Sequence, residues 1–297
     1  MGKNNQEFRA GYVTILGRPN AGKSTLLNSL LNTKLSAISP RPQTTRRRVL
    51  GIYNDDRMQI VFLDTPGLLK PRYELQEKMM QYVHAALQDA DVLLFIVDVT
   101  EKQHPVELNI DKSAFENKPL LLALNKIDLI NKGDLLPLID RYKDFLPFKA
   151  IVPISALEQD GLDELKEELQ KLLPVSPPYY PQDILSDQPE RFFVAEIIRE
   201  RIFHLFHEEI PYSTEVVVEE FKERPTGKDY IYAVIYVERD SQKGILIGKK
   251  GEALKKIGAQ ARREIEEFLG RDVFLELHVK VNENWRRNPA KLKRLGY

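Results

Sequence analysis

The sequence contains no cysteine. Disulfides, thiolate metal sites and a cysteine nucleophile are thereby excluded, and the composition suits a reducing cytosol. No apolar run approaches membrane-spanning length; the longest, residues 92–97, fits a buried strand. The polar start, residues 1–8, has no apolar signal core, and Gln6 stands where a myristoylation signal needs Ser or Thr. Net charge is missing as well, because Lys+Arg and Asp+Glu both number 44. Attraction to nucleic acid must therefore come from where charges lie rather than from their sum. These absences lead us to expect a soluble, cytoplasmic chain. Its 297 residues, 42% of them hydrophobic, suffice for two domains.

What is present begins with Gly17-Arg18-Pro19-Asn20-Ala21-Gly22-Lys23-Ser24, which matches G-x-x-x-x-G-K-[ST]. A phosphate chain packs several negative charges into a small volume, so holding it needs many donors at close range. Two glycines let the backbone bend and approach the oxygens, and successive N–H groups form an anion nest at a helix start. Lys23 would reach the β and γ phosphates, and the Ser24 hydroxyl, followed by Thr25, would ligate Mg²⁺. Residues 12–16 read as a buried strand, and Leu26, Leu27, Leu30 and Leu31 have helical spacing, which is the context the motif requires.

Downstream, residues 39–48 carry two prolines and the pair Thr44-Thr45, and read as a non-helical loop. A nucleotide switch needs a mobile hydroxyl that closes on Mg²⁺ when the γ-phosphate is present. Thr44 or Thr45 can supply it, with Thr45 preferred. Residues 49–53 and 60–63 read as a hairpin whose second strand runs into Asp64-Thr65-Pro66-Gly67. Asp64 can hold Mg²⁺ directly or through water, and Gly67 frees a backbone N–H for the γ-phosphate. Leu68 follows, and it cannot hydrogen-bond an attacking water. Asn20 offers another route, by holding K⁺ against the phosphates; it could equally serve the turn itself.

A helix is expected over residues 73–88, a buried strand over 92–97, a helix near 106–115, and a strand over 120–124 that delivers Asn125-Lys126-Ile127-Asp128. The Asp128 carboxylate can accept from N1–H and the 2-amino group of guanine. Adenine offers neither donor and would leave the acid unpaired. Asn125 and Lys126 would brace the loop. A strand over 150–154 leads to Ser155-Ala156-Leu157, whose backbone N–H can meet guanine O6, and a helix over 161–173 follows. Alternating strands and helices predict an α/β fold with a mostly parallel sheet and a ligand at its carboxyl edge.

Four prolines in residues 174–181 mark a stiff linker, so we expect domains at 1–180 and 181–297. The second half reads as a helix over 190–207, alternating strands over 214–223 and 230–239, Gly248-Lys249-Lys250-Gly251 opening a helix, and a last strand over 272–281. G-x-x-G between apolar helical segments is the KH signature, a clamp for about four single-stranded nucleotides. Seven basic residues against one acid between Lys243 and Arg263 agree with an RNA partner. A bare G-x-x-G also fits a helix–turn–helix with a solvated face, and the element order favours an α+β type II KH domain. We take Lys243, Ile247, Gly248, Lys249, Lys250, Gly251 and Lys255 as RNA-contacting. The tail beyond residue 284, with Arg286 and Arg287 and no acid, reads either as a further phosphate-contacting strip or as a solvated tail.

The ordered set G-R-P-N-A-G-K-S, P-Q-T-T-R, D-T-P-G-L, N-K-x-D and S-A-L, then a KH G-x-x-G, resembles the Era family of bacterial GTPases over nearly the whole chain. That resemblance implies a monomeric GTP-hydrolysing switch with Mg²⁺. Its KH domain would meet 16S rRNA near the 3′ end, and it would assist maturation of the small ribosomal subunit. It also implies peripheral contact with the bacterial inner membrane.

Overall fold

The computed structural model describes residues 7–101, 115 and 117–297. The helix expected near 106–115 lies outside the described residues except for its last position. Two compact units emerge. The first comprises residues 1–36, 45–70 and 79–187, and the second residues 37–44, 71–78 and 188–297.

The first unit is a sheet of six strands: β1 (Arg9–Leu16), β2 (Val49–Asn54), β3 (Met58–Asp64), β4 (Val92–Asp98), β5 (Leu120–Asn125) and β6 (Phe148–Ile154), in the order β2-β3-β1-β4-β5-β6. Only β2 runs antiparallel; it pairs with β3 through a tight turn in which Asp55 Oδ1 accepts from the Arg57 and Met58 N–H groups at 2.7 and 2.8 Å. Every residue of β3, β4 and β5 is buried, as central strands covered on both faces require. Helices α1 (Lys23–Leu31), α2 (Glu74–Asp89), α3 (Leu135–Tyr142) and α4 (Leu162–Leu172) accompany the strands. Helix α3 is absent from the sequence expectations. Pro137 masks it, but Pro137 falls in the first turn, where no intrahelical N–H is needed, and Tyr142 is buried at its far end. Parallel strands β1, β3, β4, β5 and β6 all end at one edge, and every motif named above in this half either follows one of those ends or, like Thr44 and Thr45, precedes β2.

The proline-rich stretch is not a free spacer. Gln59 Oε1 accepts from the Tyr179 and Tyr180 N–H groups, the Ile52 N–H donates to the Leu185 carbonyl, and Tyr179 stacks on Tyr12. The first unit accordingly extends to Asp187.

The second unit contains α5 (Glu190–Leu205), the short α6 (Ile210–Ser213), β7 (Glu215–Lys222), β8 (Asp229–Val237), α7 (Asp240–Ile247), α8 (Glu252–Leu269), β9 (Val273–Val281) and α9 (Pro289–Arg294). Its sheet has the order β7-β8-β9, with β8 and β9 parallel and joined across α7 and α8. Val194, Ile198 and Ile202 of α5 share one core with Ile231, Ala233 and Ile235 of β8 and Ile257, Ala261 and Ile265 of α8. The C-terminal tail corrects the solvated-tail alternative. Trp285 is fully buried and donates from Nε1 to the Ser213 carbonyl at 3.0 Å, and Leu292 is buried beside it in the chain. Asn288 caps α9 by accepting from the Lys291 N–H at 3.1 Å, with Pro289 at the first helical position. Among the described residues, no helix is long and apolar enough to cross a membrane.

Candidate functional site

The phosphate loop joins β1 to α1. Gly22 caps α1 with φ 100°, and a Cβ there would sit 2.2 Å from Asn125 Nδ2. Only glycine leaves room for the asparagine. Lys23 is buried, and its Nζ donates to the Gly17 and Arg18 carbonyls at 3.2 and 2.8 Å. Burial pulls its pKa down to about 8, although Asp64 and Glu101 oppose the shift. A phosphate chain would reverse the shift by supplying the missing negative charge. Asn20 adopts φ 66°, a left-handed conformation that asparagine tolerates, so it does serve the turn.

Ser24, Thr45 and Asp64 converge. Ser24 Oγ lies 2.9 Å from Thr45 Oγ1 and donates to Asp64 Oδ2 at 2.8 Å. Thr44 points elsewhere, its hydroxyl donating to the Arg41 carbonyl at 2.9 Å. Asp64 is fully buried, and burial raises its pKa. Its Oδ1 and the buried Ser36 Oγ make no hydrogen bond of good geometry, although the Ser36 hydroxyl lies close enough to favour the charged carboxylate. A buried carboxylate beside hydroxyl oxygens is the hard donor set that Mg²⁺ takes, so these residues fit the metal the motif implies. Ser36 escaped the sequence reading. Asn28 on α1 holds it, accepting from the Ser36 N–H and donating to the Ser36 carbonyl, both at 2.8 Å.

The segment after β3 is fastened to the loop. Thr65 Oγ1 donates to the Ile15 carbonyl at 2.8 Å, and the Leu68 N–H donates to the Gly17 carbonyl at 3.1 Å. Pro66 and Gly67 are buried, and a Cβ on Gly67 would meet Pro19 N at 2.6 Å. The Leu68 side chain is buried in the core with Leu16, Val83 and Leu87. The position after Gly67 is thus an apolar anchor.

The base-selecting loop follows β5. Asn125 is buried; its Nδ2 donates to the Ala21 carbonyl at 2.8 Å and its Oδ1 accepts from the Ala156 N–H at 2.9 Å. One side chain therefore ties three motifs together. It also occupies the Ala156 N–H, one of the donors considered above for guanine O6. Lys126 takes φ 70° and pairs with Asp98 at the end of β4. Burial alone would raise the Asp98 pKa, but Lys126 and the Thr100 hydroxyl and N–H, both donating to Oδ1, hold it below the usual carboxylate range. Asp98 is a second residue the sequence reading left without a role. Asp128 is exposed in the turn, as is Leu157, whereas Ser155 is buried and accepts from the Glu158 N–H at 3.2 Å. Ser29 Oγ, from α1, donates to the Ala156 carbonyl.

In the second unit, Gly248, Lys250 and Gly251 have φ of 71°, 53° and 80° between α7 and α8, and Lys249 and Lys250 are exposed. Ile247 and Lys243 are half-buried on α7, and Lys255 is exposed on α8. Beside the loop lies an open cavity of about 430 Å³ with Leu254, Leu275 and Leu277 as apolar lining and Lys255 and Arg262 as cations. Apolar walls suit base faces and the cations suit phosphates. Arg262 is a further residue missed as an individual, visible in the sequence only as part of the basic run. Arg287 is exposed. Arg286 is half-buried, paired with Glu238 and donating to the Tyr212 carbonyl.

A phosphate loop, a Mg²⁺ donor set and a guanine-selecting turn on one sheet edge, followed by a KH module, define a GTP-binding P-loop protein of the nucleic-acid-binding kind. Residues 12–126 match the 50S ribosome-binding GTPase family model and residues 209–286 the KH domain model. GTPase Era of Geotalea uraniireducens is 51% identical over 98% of this chain and 99% of its own length. A crystal structure of a variant of Aquifex aeolicus Era bound to GDP and AlF4⁻ superposes with a TM-score of 0.94 at 45% identity, covering 98% of this chain and 99% of that one. A structure of Era with MgGDPNP and nucleotides 1506–1542 of 16S ribosomal RNA gives 0.93 at 45% identity, with the same coverage. The chain belongs to the Era family of GTPases.

Proposed function

We propose that this chain is a GTP-hydrolysing switch that binds the 3′ region of 16S rRNA and assists assembly of the small ribosomal subunit. The convergence of Ser24, Thr45 and Asp64 beside the buried Lys23 carries the hydrolytic half of the reading. Ser24, Thr45 and Asp64 hold Mg²⁺; Lys23 and the loop from Gly17 to Thr25 hold the phosphates; Asp128 selects guanine; Gly67 offers its N–H to the γ-phosphate. Residues 1–180 form the nucleotide-binding domain and residues 181–297 the RNA-binding one, with Lys249 and Lys250 neutralising RNA phosphates.

Nucleotide can govern RNA only if GTP and GDP have different affinities for two states of the chain. Filter binding of an oligonucleotide with the 16S 3′ sequence, in the GTP-analogue and GDP forms, tests this; equal affinities refute it. Replacing Lys249 and Lys250 by Glu should weaken RNA binding and spare GTP turnover measured without RNA. Loss of both activities would instead indicate a folding defect. Acceleration by K⁺ over Na⁺, through Asn20, is the finer expectation for the cofactor. Monomeric state and peripheral contact with the inner membrane rest on family resemblance; sedimentation, alone and with acidic vesicles, tests them.

A further inference from the structure

The second unit includes residues 37–44, and α5 grips this stretch at three points. His204 Nε2 meets the Ile38 carbonyl at 2.9 Å, Arg41 Nη1 donates to the Phe203 carbonyl at 2.6 Å, and Arg199 Nη1 donates to the Thr44 carbonyl at 2.5 Å. Arg199 is 1% exposed and pairs with Glu196 one turn earlier on α5. Its guanidinium also lies over the Phe203 ring, 5.7 Å from the centroid. A charged donor to a carbonyl in a water-excluded place is among the strongest single contacts a backbone can receive. The carbonyl of residue 44 and the N–H of residue 45 share one rigid plane. Fixing Thr44 O therefore fixes the direction in which the chain enters Thr45, whose hydroxyl lies 2.9 Å from Ser24 Oγ.

We propose that Arg199 is a positioning residue for GTP hydrolysis. Its hold on the Thr44 carbonyl favours one direction for the peptide that leads into Thr45, so the gripped form of residues 37–44 and the triphosphate-bound form of Thr45 favour each other. The inference rests on the reading of Thr45 as a Mg²⁺ ligand. Coupling of this kind is reciprocal: whatever stabilises the gripped form of residues 37–44 also favours the triphosphate.

The test uses the full chain loaded with a fluorescent, non-hydrolysable GTP analogue, and GDP in parallel. Dissociation of each nucleotide is followed against Mg²⁺ concentration. Arg199→Lys keeps a charge for Glu196 but loses the fork. It should raise the half-maximal Mg²⁺ concentration for the triphosphate about tenfold and leave GDP within about twofold. Pairing Glu196→Gln with Arg199→Met removes both charges together, so Glu196 is not stranded, while Glu215, which also faces Arg199, keeps the Tyr297 hydroxyl as donor; the pair should do the same. Thr45→Val is measured alongside. A rise with Thr45→Val but not with the Arg199 variants overturns the proposal. No rise with Thr45→Val overturns the reading of Thr45 itself. The single tryptophan, Trp285, lies buried in the second unit, so its emission reports whether each variant folds. Should both Arg199 variants lose that emission, hydrogen exchange on the unmodified chain decides. Residues 41–46 and the last two turns of α5 should gain protection together with the analogue relative to GDP, and unchanged α5 protection refutes the proposal.

Discussion

Asn125→Ala is the substitution with the most readable consequence for nucleotide binding. The side chain is 2% exposed and makes two buried hydrogen bonds, to the Ala21 carbonyl and from the Ala156 N–H. Both partners are backbone groups of residues that are 1% exposed. Alanine would strand both, at about 1–3 kcal/mol each, or about 2–6 kcal/mol in all. Water entering the vacated space would recover part of this, so we expect about 3 kcal/mol, roughly a hundredfold in GDP affinity. The loss should fall on binding because the two stranded groups belong to the phosphate loop and the Ser155–Leu157 turn, which must be held in place around the nucleotide. Stopped-flow dissociation and equilibrium titration of fluorescent GDP read it directly, with a thermal melt by circular dichroism as the fold control. Asn125→Asp is the sharper comparison. It keeps an acceptor for the Ala156 N–H but sets a carboxylate against the Ala21 carbonyl, so it should bind GDP no better than the alanine variant near neutral pH. A less than about fivefold change for Asn125→Ala with an intact melt would refute the bracing role.

Lys23, with its pKa near 8 before nucleotide binds, gives a pH signature. Phosphates favour the ammonium, so affinity should be level below pH 8 and fall by up to about tenfold per unit above it, with proton uptake in calorimetry; level affinity to pH 9.5 refutes this. Asp98→Ala removes the partner of Lys126 and the acceptor for Thr100, and should speed GDP dissociation about tenfold with little change in melting, since Lys126 can regain water; an unchanged rate refutes it. Leu68→Gln restores a water-orienting residue in name only. Its side chain would enter the core beside Leu16 and Val83, so we expect a melt lowered by about 2–3 kcal/mol and no faster turnover. A faster, equally stable variant would show that the position can face the nucleotide.

What was legible in the sequence follows one physical line. The phosphate loop, Asp64 to Gly67 and Asn125 to Asp128 are contiguous, and each sits where a mostly apolar strand stops. A strand buried on both faces is mostly apolar, and the polar residues inside it, Thr14 and Gln59, need partners of their own, so a cluster of polar residues at its end announces itself locally. The β2–β3 hairpin was readable for the same reason, through Asp55 and its turn bonds. Helix α3 was not, because a proline in a first turn and a proline that breaks a helix look alike until the flanking residues are placed. The tail misled in the opposite way: its charges suggested solvent, while the buried face of Trp285 and Leu292 is spread over two short elements with no period to detect.

Residues that position the ligating groups were illegible for a different reason. Asp98 and Lys126 stand 28 residues apart, and Arg199 and Thr44 155 apart. Neither partner carries a mark of the other; an aspartate ending a strand and an arginine inside a helix of mixed polar and apolar residues each have an ordinary surface explanation. Only burial removes that explanation. Water normally satisfies a guanidinium, so an Arg199 that is 1% exposed must find its acceptors in the protein, and Glu196 and the Thr44 carbonyl are the acceptors it finds. The same reasoning singles out Ser36 among the serines, because its buried hydroxyl faces the buried Asp64 carboxylate, an oxygen pair that a hard cation would suit. The contiguous motifs thus name the chemistry, and the buried polar side chains at long sequence separation fix where its groups stand.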